Sequence, residues 1–179
     1  MSALVLYASI EGQTRKIATH IAARLEEKGL GVILADIREP GFAIPGQQDV
    51  VILCAPIHMG NYPEAMVSFV NDWKEAISAV PNVFVSVTLA IHSENEDEKA
   101  EARAYPVKLT ENTGFKPQRV LNVAGALKFL EYDFFKRFVM RRISAGENGP
   151  VDVSKDYEFT DWEAVNAMVD ELASEVTSN

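Results

Sequence analysis

The sequence has a single cysteine, Cys54, among its 179 residues, which excludes an intrachain disulfide and gives no sign of an oxidising compartment. No apolar run approaches 18 residues, so no membrane-spanning helix is predicted, and the first residues lack the charged and apolar regions of a secretory signal. Basic residues are also few. The 17 Lys and Arg against 26 Asp and Glu give a formal net charge of -9, which disfavours a nucleic-acid partner. We therefore expect a cytoplasmic protein.

Several motifs of catalytic and nucleotide-binding proteins are missing as well. There is no G-x-G-x-x-G after the first apolar run, no G-x-x-x-x-G-K-[ST] and no G-x-S-x-G. The turn directly after the first strand contains no cysteine. These absences disfavour a dinucleotide-binding fold, a P-loop nucleotide hydrolase, an α/β-hydrolase and a cysteine phosphatase. The three histidines, His20, His58 and His92, lack the spacing of metal ligands, so no metal is expected.

What the sequence does contain is a regular alternation of apolar runs and helical patterns. Its length predicts one domain, residues 1–179. Strands are predicted at Ala3–Tyr7, Val32–Ala35, Val50–Ala55, Val83–Leu89 and Val120–Ala126, and helices after Thr14, at Glu64–Ala76, at Ala100–Asn112 and from Thr160 to Ser174, with Thr160 as N-cap and Glu163 as its capping-box partner. Such alternation predicts an α/β fold, a doubly wound five-stranded parallel sheet between two helical layers.

The segment 128–158 is an insertion in this pattern, because it is far longer than an ordinary connection. From Phe134 to Ile143 it reads as an amphipathic helix with phenylalanines on one face and basic residues on the other, although Arg142 falls within the apolar arc. A basic amphipathic helix indicates a membrane surface or a binding partner. The alternative is a helix that packs its phenylalanines on the domain edge or on a dimer partner.

The turn after the first strand, Ser9–Thr14, is the most informative loop. It places hydroxyls, Gly12 and unpaired backbone amides at the start of a helix, where a phosphate is favoured. An ordinary capping turn would have the same composition. In a parallel sheet the segments that follow the third and fourth strands, Pro56–Tyr62 and Thr88–His92, lie at the same edge.

The turn Ser9–Thr14 resembles the FMN phosphate loop of flavodoxins, with Glu11 where those proteins usually carry threonine. Within that superfamily, the Gly60-Asn61-Tyr62 turn, residues 124–127 and the stretch 157–163 resemble the menaquinone-dependent, flavodoxin-type protoporphyrinogen IX dehydrogenases over nearly the whole chain. The resemblance implies a flavodoxin-like fold and FMN as cofactor. It also implies electron transfer from a porphyrinogen through FMN to a quinone, in haem biosynthesis.

The resemblance also implies the residues that contact the flavin. In it, Gly60 gives the backbone freedom needed when flavin N5 gains a proton, and Tyr62 stacks on the ring; packing of Tyr62 on the following helix is the alternative. No catalytic base stands out, and His58 and His92 are candidates by position alone. The expected FMN contacts are Ser9, Ile10, Glu11, Gly12, Gln13, Thr14, Pro56, Ile57, His58, Met59, Gly60, Asn61, Tyr62, Thr88, Leu89, Ala90 and Ile91.

The insertion is expected to contact the substrate or the inner face of the cell membrane, where a quinone resides. The residues expected to do so are Phe134, Phe135, Arg137, Phe138, Arg141 and Arg142. Two other functions stay open at this point: a flavodoxin electron carrier, which the acidity favours, and an FMN-dependent NAD(P)H:quinone reductase. A carrier has little use for a basic, phenylalanine-rich insertion. A homodimer also stays open.

Overall fold

The computed structural model describes residues 1–127 and 154–178. Its strands are β1 (Ser2–Tyr7), β2 (Gly31–Asp36), β3 (Val50–Pro56), β4 (Asn82–Val87), β5 (Arg119–Val123), β6 (Ala126–Leu127) and β7 (Tyr157–Glu158), and its helices are α1 (Gln13–Glu27), α2 (Glu64–Ser78), α3 (Glu96–Thr113) and α4 (Trp162–Thr177). A 3₁₀ turn, Leu89–His92, joins β4 to α3.

The five long strands form one parallel sheet in the order β2-β1-β3-β4-β5. This confirms the predicted flavodoxin-like α/β fold. The order reverses at β1, because the chain moves from β1 outward to β2 and then returns to the other side of β1 with β3. At that reversal the connections leave the carboxyl ends of β1 and β3 in opposite directions, which opens a crevice between them.

Helices cover both faces of the sheet, as the apolar patterns predicted. The α1 residues Ile17, Ile21 and Leu25 are fully buried against one face, together with α4. On the other face α2 and α3 bury Met66 and Leu109 against β3 and β4. β1, β3 and β4 are buried along their whole length or nearly so, which explains why their sequences are apolar without alternation.

Two predicted strands were too long. The fourth ends at Val87 and not at Leu89, because the Thr88 side chain accepts a hydrogen bond from the Ala90 amide (3.3 Å) and begins the 3₁₀ turn. The fifth ends at Val123 and not at Ala126. Ala126 instead belongs to β6, which pairs antiparallel with β7 outside the main sheet.

Three helix starts also differ from the prediction, and α1 already begins at Gln13 instead of after Thr14. α3 begins at Glu96, four residues before Ala100, because the Asn95 side chain accepts the Asp97 amide (2.8 Å) and acidic residues in the first turn suit the helix dipole. α4 is capped by Asp161, whose carboxylate accepts the Ala164 amide (3.0 Å), and not by Thr160.

Of the insertion 128–158, the structure describes residues 154–158. β6 leads into it and β7 leads out of it, and Ala126 pairs with Glu158. The segment therefore departs from and returns to the same place in the fold. The helix predicted from Phe134 to Ile143 lies outside the described residues.

The fold makes a direct prediction about Cys54. Its side chain is fully buried in β3, and burial raises the pKa of its thiol well above the ordinary value, so the reactive thiolate is suppressed. We expect no reaction with Ellman's reagent in the native protein at neutral pH and one thiol per chain after unfolding in urea. Equally fast labelling under both conditions would contradict the fold.

Candidate functional site

The carboxyl ends of β1, β3 and β4 lie side by side and bring three loops together. Backbone hydrogen bonds continue past the strands, from the Ala8 amide to the Cys54 carbonyl (3.1 Å) and from the Ile57 amide to the Val87 carbonyl (2.8 Å). The turn after β1, the loop after β3 and the 3₁₀ turn after β4 therefore share one edge of the sheet. The structure brings together the three segments that the sequence singled out.

The turn after β1 presents amide donors at the start of α1. Gly12 caps the helix with φ +87°, a left-handed conformation that favours glycine, and its amide donates to the Ser9 hydroxyl oxygen (3.0 Å). Gln13, Thr14 and Arg15 follow as the first helical residues, whose amides precede the first intrahelical bond. These three amides therefore have no acceptor within α1, whereas the Gly12 amide donates to Ser9.

The helix end that carries these donors also holds basic residues. The first turn of α1 holds no acidic residue but does hold Arg15 and Lys16. Cations are disfavoured at the positive end of a helix dipole. Lys16 already pairs with Glu158 (2.6 Å), so an anion seated on the amides would relieve the conflict at Arg15, and the buried hydroxyls of Ser9 and Thr14 belong to the same turn.

The loop after β3 is a tight turn built around Met59 and Gly60. The His58 amide donates to the Asn61 carbonyl (2.9 Å), and the Asn61 amide donates back to the His58 carbonyl (3.1 Å). Both central residues have positive φ, 49° at Met59 and 79° at Gly60. Met59 is non-glycine and 88% exposed, so the turn holds a strained residue at its tip.

The Met59 peptide is held by its neighbour. The Asn61 side-chain amide donates to the Met59 carbonyl (3.2 Å). Below the turn, Pro56 is the buried last residue of β3 and Ile57 packs partly against the α2 and α3 side of the core. The tip is therefore exposed while its base is fixed.

Glu11 joins the first loop to the second. Its carboxylate Oε1 lies 3.1 Å from Nδ1 of His58, and the Glu11 side chain is only 15% exposed. The carboxylate thus contacts the imidazole. This contact accounts for an acidic residue beside an anion site, because the carboxylate reaches across the crevice between β1 and β3.

The 3₁₀ turn after β4 lies next to the β3 loop, on the side away from β1. Thr88 is buried, and its amide donates to the Val123 carbonyl (2.9 Å). Leu89, Ala90 and Ile91 are half-buried and offer apolar surface at the same edge. His92 is exposed and its ring lies 4.7 Å from that of Phe159.

Tyr62 is a core residue in the structure. It is 9% exposed, its hydroxyl donates to the Ser86 hydroxyl oxygen (2.8 Å), and its ring meets Phe84 edge-on at 5.1 Å. Burial raises the pKa of the Tyr62 phenol above its ordinary value. This placement disagrees with stacking of the Tyr62 ring on a flavin, since the ring face that stacking needs is packed inside the protein.

Sequence reasoning missed a group of residues that follows the insertion. Glu158 and Thr160 both accept hydrogen bonds from the Gln13 side chain (2.9 Å each). Thr160 in turn donates to the Ala124 carbonyl (2.9 Å). The sequence did contain one signal for this group. Thr160 and Asp161 are neighbouring residues that can each cap a helix, and only one of them is needed, so the other is available for a different contact.

The other predicted site residues lie at the rim of the first loop or outside the described residues. Ile10 is 41% exposed at the rim of the first loop. The predicted insertion contacts lie outside the described residues; they are Phe134, Phe135, Arg137, Phe138, Arg141 and Arg142.

Comparisons with known proteins identify relatives over nearly the whole chain. Residues 4–154 match the sequence model of the family described as "Flavodoxin domain". The chain is 31% identical to the protoporphyrinogen IX dehydrogenase (quinone) of Escherichia coli strain K12 over 97% of this chain and 95% of that protein. It is 29% identical to the Leishmania major protein of the same name, over 96% and 74%.

A solved structure shows the same fold. A short-chain flavodoxin associated with a non-canonical PDU bacterial microcompartment superposes with a TM-score of 0.57 and 15% identity, covering 98% of this chain and 99% of that chain. At this identity the likeness concerns the fold. Within residues 1–127 and 154–178, none of the helices has the length and apolar character to cross a membrane.

The placement of Tyr62 predicts a stability effect. Tyr62→Phe removes a buried hydroxyl and leaves Ser86 without that partner, which costs about 1–3 kcal/mol of unfolding free energy. Urea denaturation measures this cost. Ser86→Ala is the matched variant, and the double variant should lose less than the sum of the two single losses. Strictly additive losses, or a Tyr62→Phe protein as stable as the parent, would contradict the buried contact.

Proposed function

The chain belongs to the flavodoxin family, alongside the quinone-linked protoporphyrinogen IX dehydrogenases, and from this premise we propose its function. It is an FMN-dependent oxidoreductase that oxidises a porphyrinogen, protoporphyrinogen IX, and passes the electrons to a quinone. The match to the Escherichia coli enzyme, which extends over 97% of this chain, supports the substrate assignment. The amide donors at the start of α1 carry the cofactor assignment.

The residues at the start of α1 fit the phosphate of FMN. A phosphate monoester needs several hydrogen-bond donors and positive charge, and little negative charge close by. The amides of Gln13, Thr14 and Arg15 and the hydroxyls of Ser9 and Thr14 supply the donors. The helix dipole and the Arg15 guanidinium supply the charge. Two carboxylates lie near this helix end, and both have partners: Glu11 contacts His58, and Glu158 pairs with Lys16 and accepts from the Gln13 side chain.

The loops after β3 and β4 fit the flavin ring. Ile57 and Met59 after β3 and the half-buried stretch Leu89–Ile91 after β4 offer apolar surface on two neighbouring loops, which suits a planar heterocycle held between them. FMN, when bound, accepts electrons from one substrate and delivers them to another. The protein's part is to hold the ring between the turn His58–Asn61 and the turn Leu89–His92.

His58 is held in a defined orientation at this cleft. Its Nδ1 faces the Glu11 carboxylate at 3.1 Å, an arrangement that fixes an imidazole ring and its tautomer. Of the two histidines that were candidates by position, His58 is therefore the better placed to contact the flavin, since His92 contacts Phe159 at the rim.

The insertion is proposed to serve the large, membrane-linked substrates. Lys128–Arg142 contains five basic and two acidic residues in a chain of net charge -9. Positive charge beside phenylalanines suits both the carboxylates and the apolar macrocycle of a porphyrinogen, and also an anionic membrane surface. We place peripheral membrane contact, on the cytoplasmic side, in this segment.

The phosphate assignment predicts a selective loss of FMN affinity. Thr14→Val removes one hydroxyl donor to a charged group, which costs about 1.5–3 kcal/mol, or roughly tenfold or more in affinity. Fluorescence titration should show weaker FMN binding and unchanged binding of riboflavin, which lacks the phosphate. Thr19→Val, at an exposed position further along α1, is the matched control and should bind both flavins normally. Equal losses for FMN and riboflavin would overturn the assignment.

The enzymatic assignment predicts anaerobic oxidation of protoporphyrinogen IX by the FMN-loaded protein with a menaquinone analogue as acceptor. Porphyrin fluorescence measures the product. A protein that binds FMN but oxidises porphyrinogen no faster than free FMN would contradict this function and favour an electron carrier. Reduction of the quinone by NAD(P)H without porphyrinogen would favour a quinone reductase instead.

A deletion of residues 129–143 separates the roles of the core domain and the insertion. We expect the deletion variant to keep FMN binding but to lose turnover with menaquinone embedded in anionic vesicles. Comparison with a water-soluble quinone distinguishes membrane contact from substrate contact. If the insertion only contacts the membrane, the deletion variant keeps its activity with the soluble quinone; if it contacts the substrate, that activity is lost as well. Full activity with both acceptors would show that the insertion serves neither purpose.

A further inference from the structure

The Gln13 side chain links the start of α1 to the chain segment that returns from the insertion. Its amide nitrogen donates to Glu158 Oε1 and to Thr160 Oγ1, each at 2.9 Å. Gln13 is 8% exposed, and both bonds are partly buried. The backbone amide of the same residue belongs to the donor set at the head of α1.

The receiving segment is itself tied to the strand that leads into the insertion. β6 and β7 pair antiparallel, with Ala126 opposite Glu158. The Phe159 amide donates to the Gly125 carbonyl (3.1 Å), and the Thr160 hydroxyl donates to the Ala124 carbonyl (2.9 Å). Through Thr160, the Gln13 contact reaches the backbone on both sides of the insertion.

Lys16 reinforces the same contact from one turn further along α1. Its ammonium lies 2.6 Å from Glu158 Oε2. Although burial acts in the opposite direction, hydrogen bonds from Lys16 and Gln13 hold the pKa of the Glu158 carboxyl below its ordinary value. The carboxylate is therefore charged at neutral pH and accepts from two residues of α1.

We propose that Gln13 is a positioning residue that couples phosphate binding at the head of α1 to the pairing of β6 with β7. The inference rests on the proposed function, since the phosphate is that of FMN. A bound phosphate fixes the Gln13 backbone through its amide, and a fixed backbone holds the side chain on Glu158 and Thr160. Linkage is reciprocal, so the paired strands in turn favour the binding-competent first turn.

The coupling is tested on the Phe159 amide, which reports on the strand pairing. Hydrogen–deuterium exchange of this amide, followed by NMR, measures how often the local structure opens. In the parent protein we expect saturating FMN to slow its exchange about tenfold or more, and riboflavin to leave it unchanged. In Gln13→Met, which keeps the side-chain length but not the donor, the response to FMN should disappear.

The same variant should bind FMN several-fold more weakly and riboflavin as well as the parent does. Thr160→Val removes the second acceptor while leaving Gln13 intact, and it should reduce both the exchange response and FMN affinity in the same direction. If Gln13→Met does not fold, as judged by circular dichroism, Thr160→Val alone decides the question.

Arg24→Met is the matched control. It breaks another contact between α1 and the end of the chain, the Arg24–Asp170 ion pair (2.7 Å), but it lies away from the head of the helix. It should lower the melting temperature and leave FMN affinity and the Phe159 response unchanged. A comparable loss in Arg24→Met would overturn the coupling, because it would make general α1 stability the cause.

The outcomes separate this inference from the proposed function. A parent protein that does not bind FMN overturns both. A parent protein that binds FMN in preference to riboflavin, but whose Phe159 exchange ignores FMN, overturns the coupling and leaves the proposed function standing. A Gln13→Met protein whose Phe159 exchange is slowed by FMN as much as in the parent also overturns the coupling and leaves the proposed function standing.

Discussion

The site depends on one constraint: the amides that open α1 have no partner within their own helix. Glycine at the cap position offers no side chain to them, and its own amide is bonded to Ser9. Basic residues follow in the first turn, against the preference of the helix dipole. An anion would stabilise a helix end with this composition, and the reversal of strand order at β1 places that end beside the crevice in the sheet edge.

The surrounding loops are organised around that opening. Glu11 reaches across it to His58, which joins the anion-binding turn to the turn that carries Met59 and Gly60. On the other side, Gln13 joins the same turn to Glu158 beyond the insertion. The head of α1 is thus connected with two of the segments that would contact a flavin or its substrate, and a ligand bound there acts on both.

The sequence was sufficient to predict the sheet, the layers and the loops that meet at its edge, because buried parallel strands are read from apolar runs and their carboxyl ends follow from the topology. Element ends were less predictable. Thr160 and Asp161 are both good capping residues; Asp161 caps the helix, while the Thr160 hydroxyl bonds to Gln13 and Ala124, which are far away in the chain. For Tyr62 the sequence left stacking on a flavin and packing on the following helix both open, because its partner Ser86 lies on a different strand.

The central claim is that amides at the head of α1 hold the phosphate of FMN, and amide NMR tests it most directly. In ¹H–¹⁵N spectra, the account predicts that FMN moves the amide protons of Gln13, Thr14 and Arg15 strongly downfield, as charge-assisted hydrogen bonds form, whereas riboflavin does not. A protein that becomes flavin-loaded while these three amide resonances stay in place would contradict it.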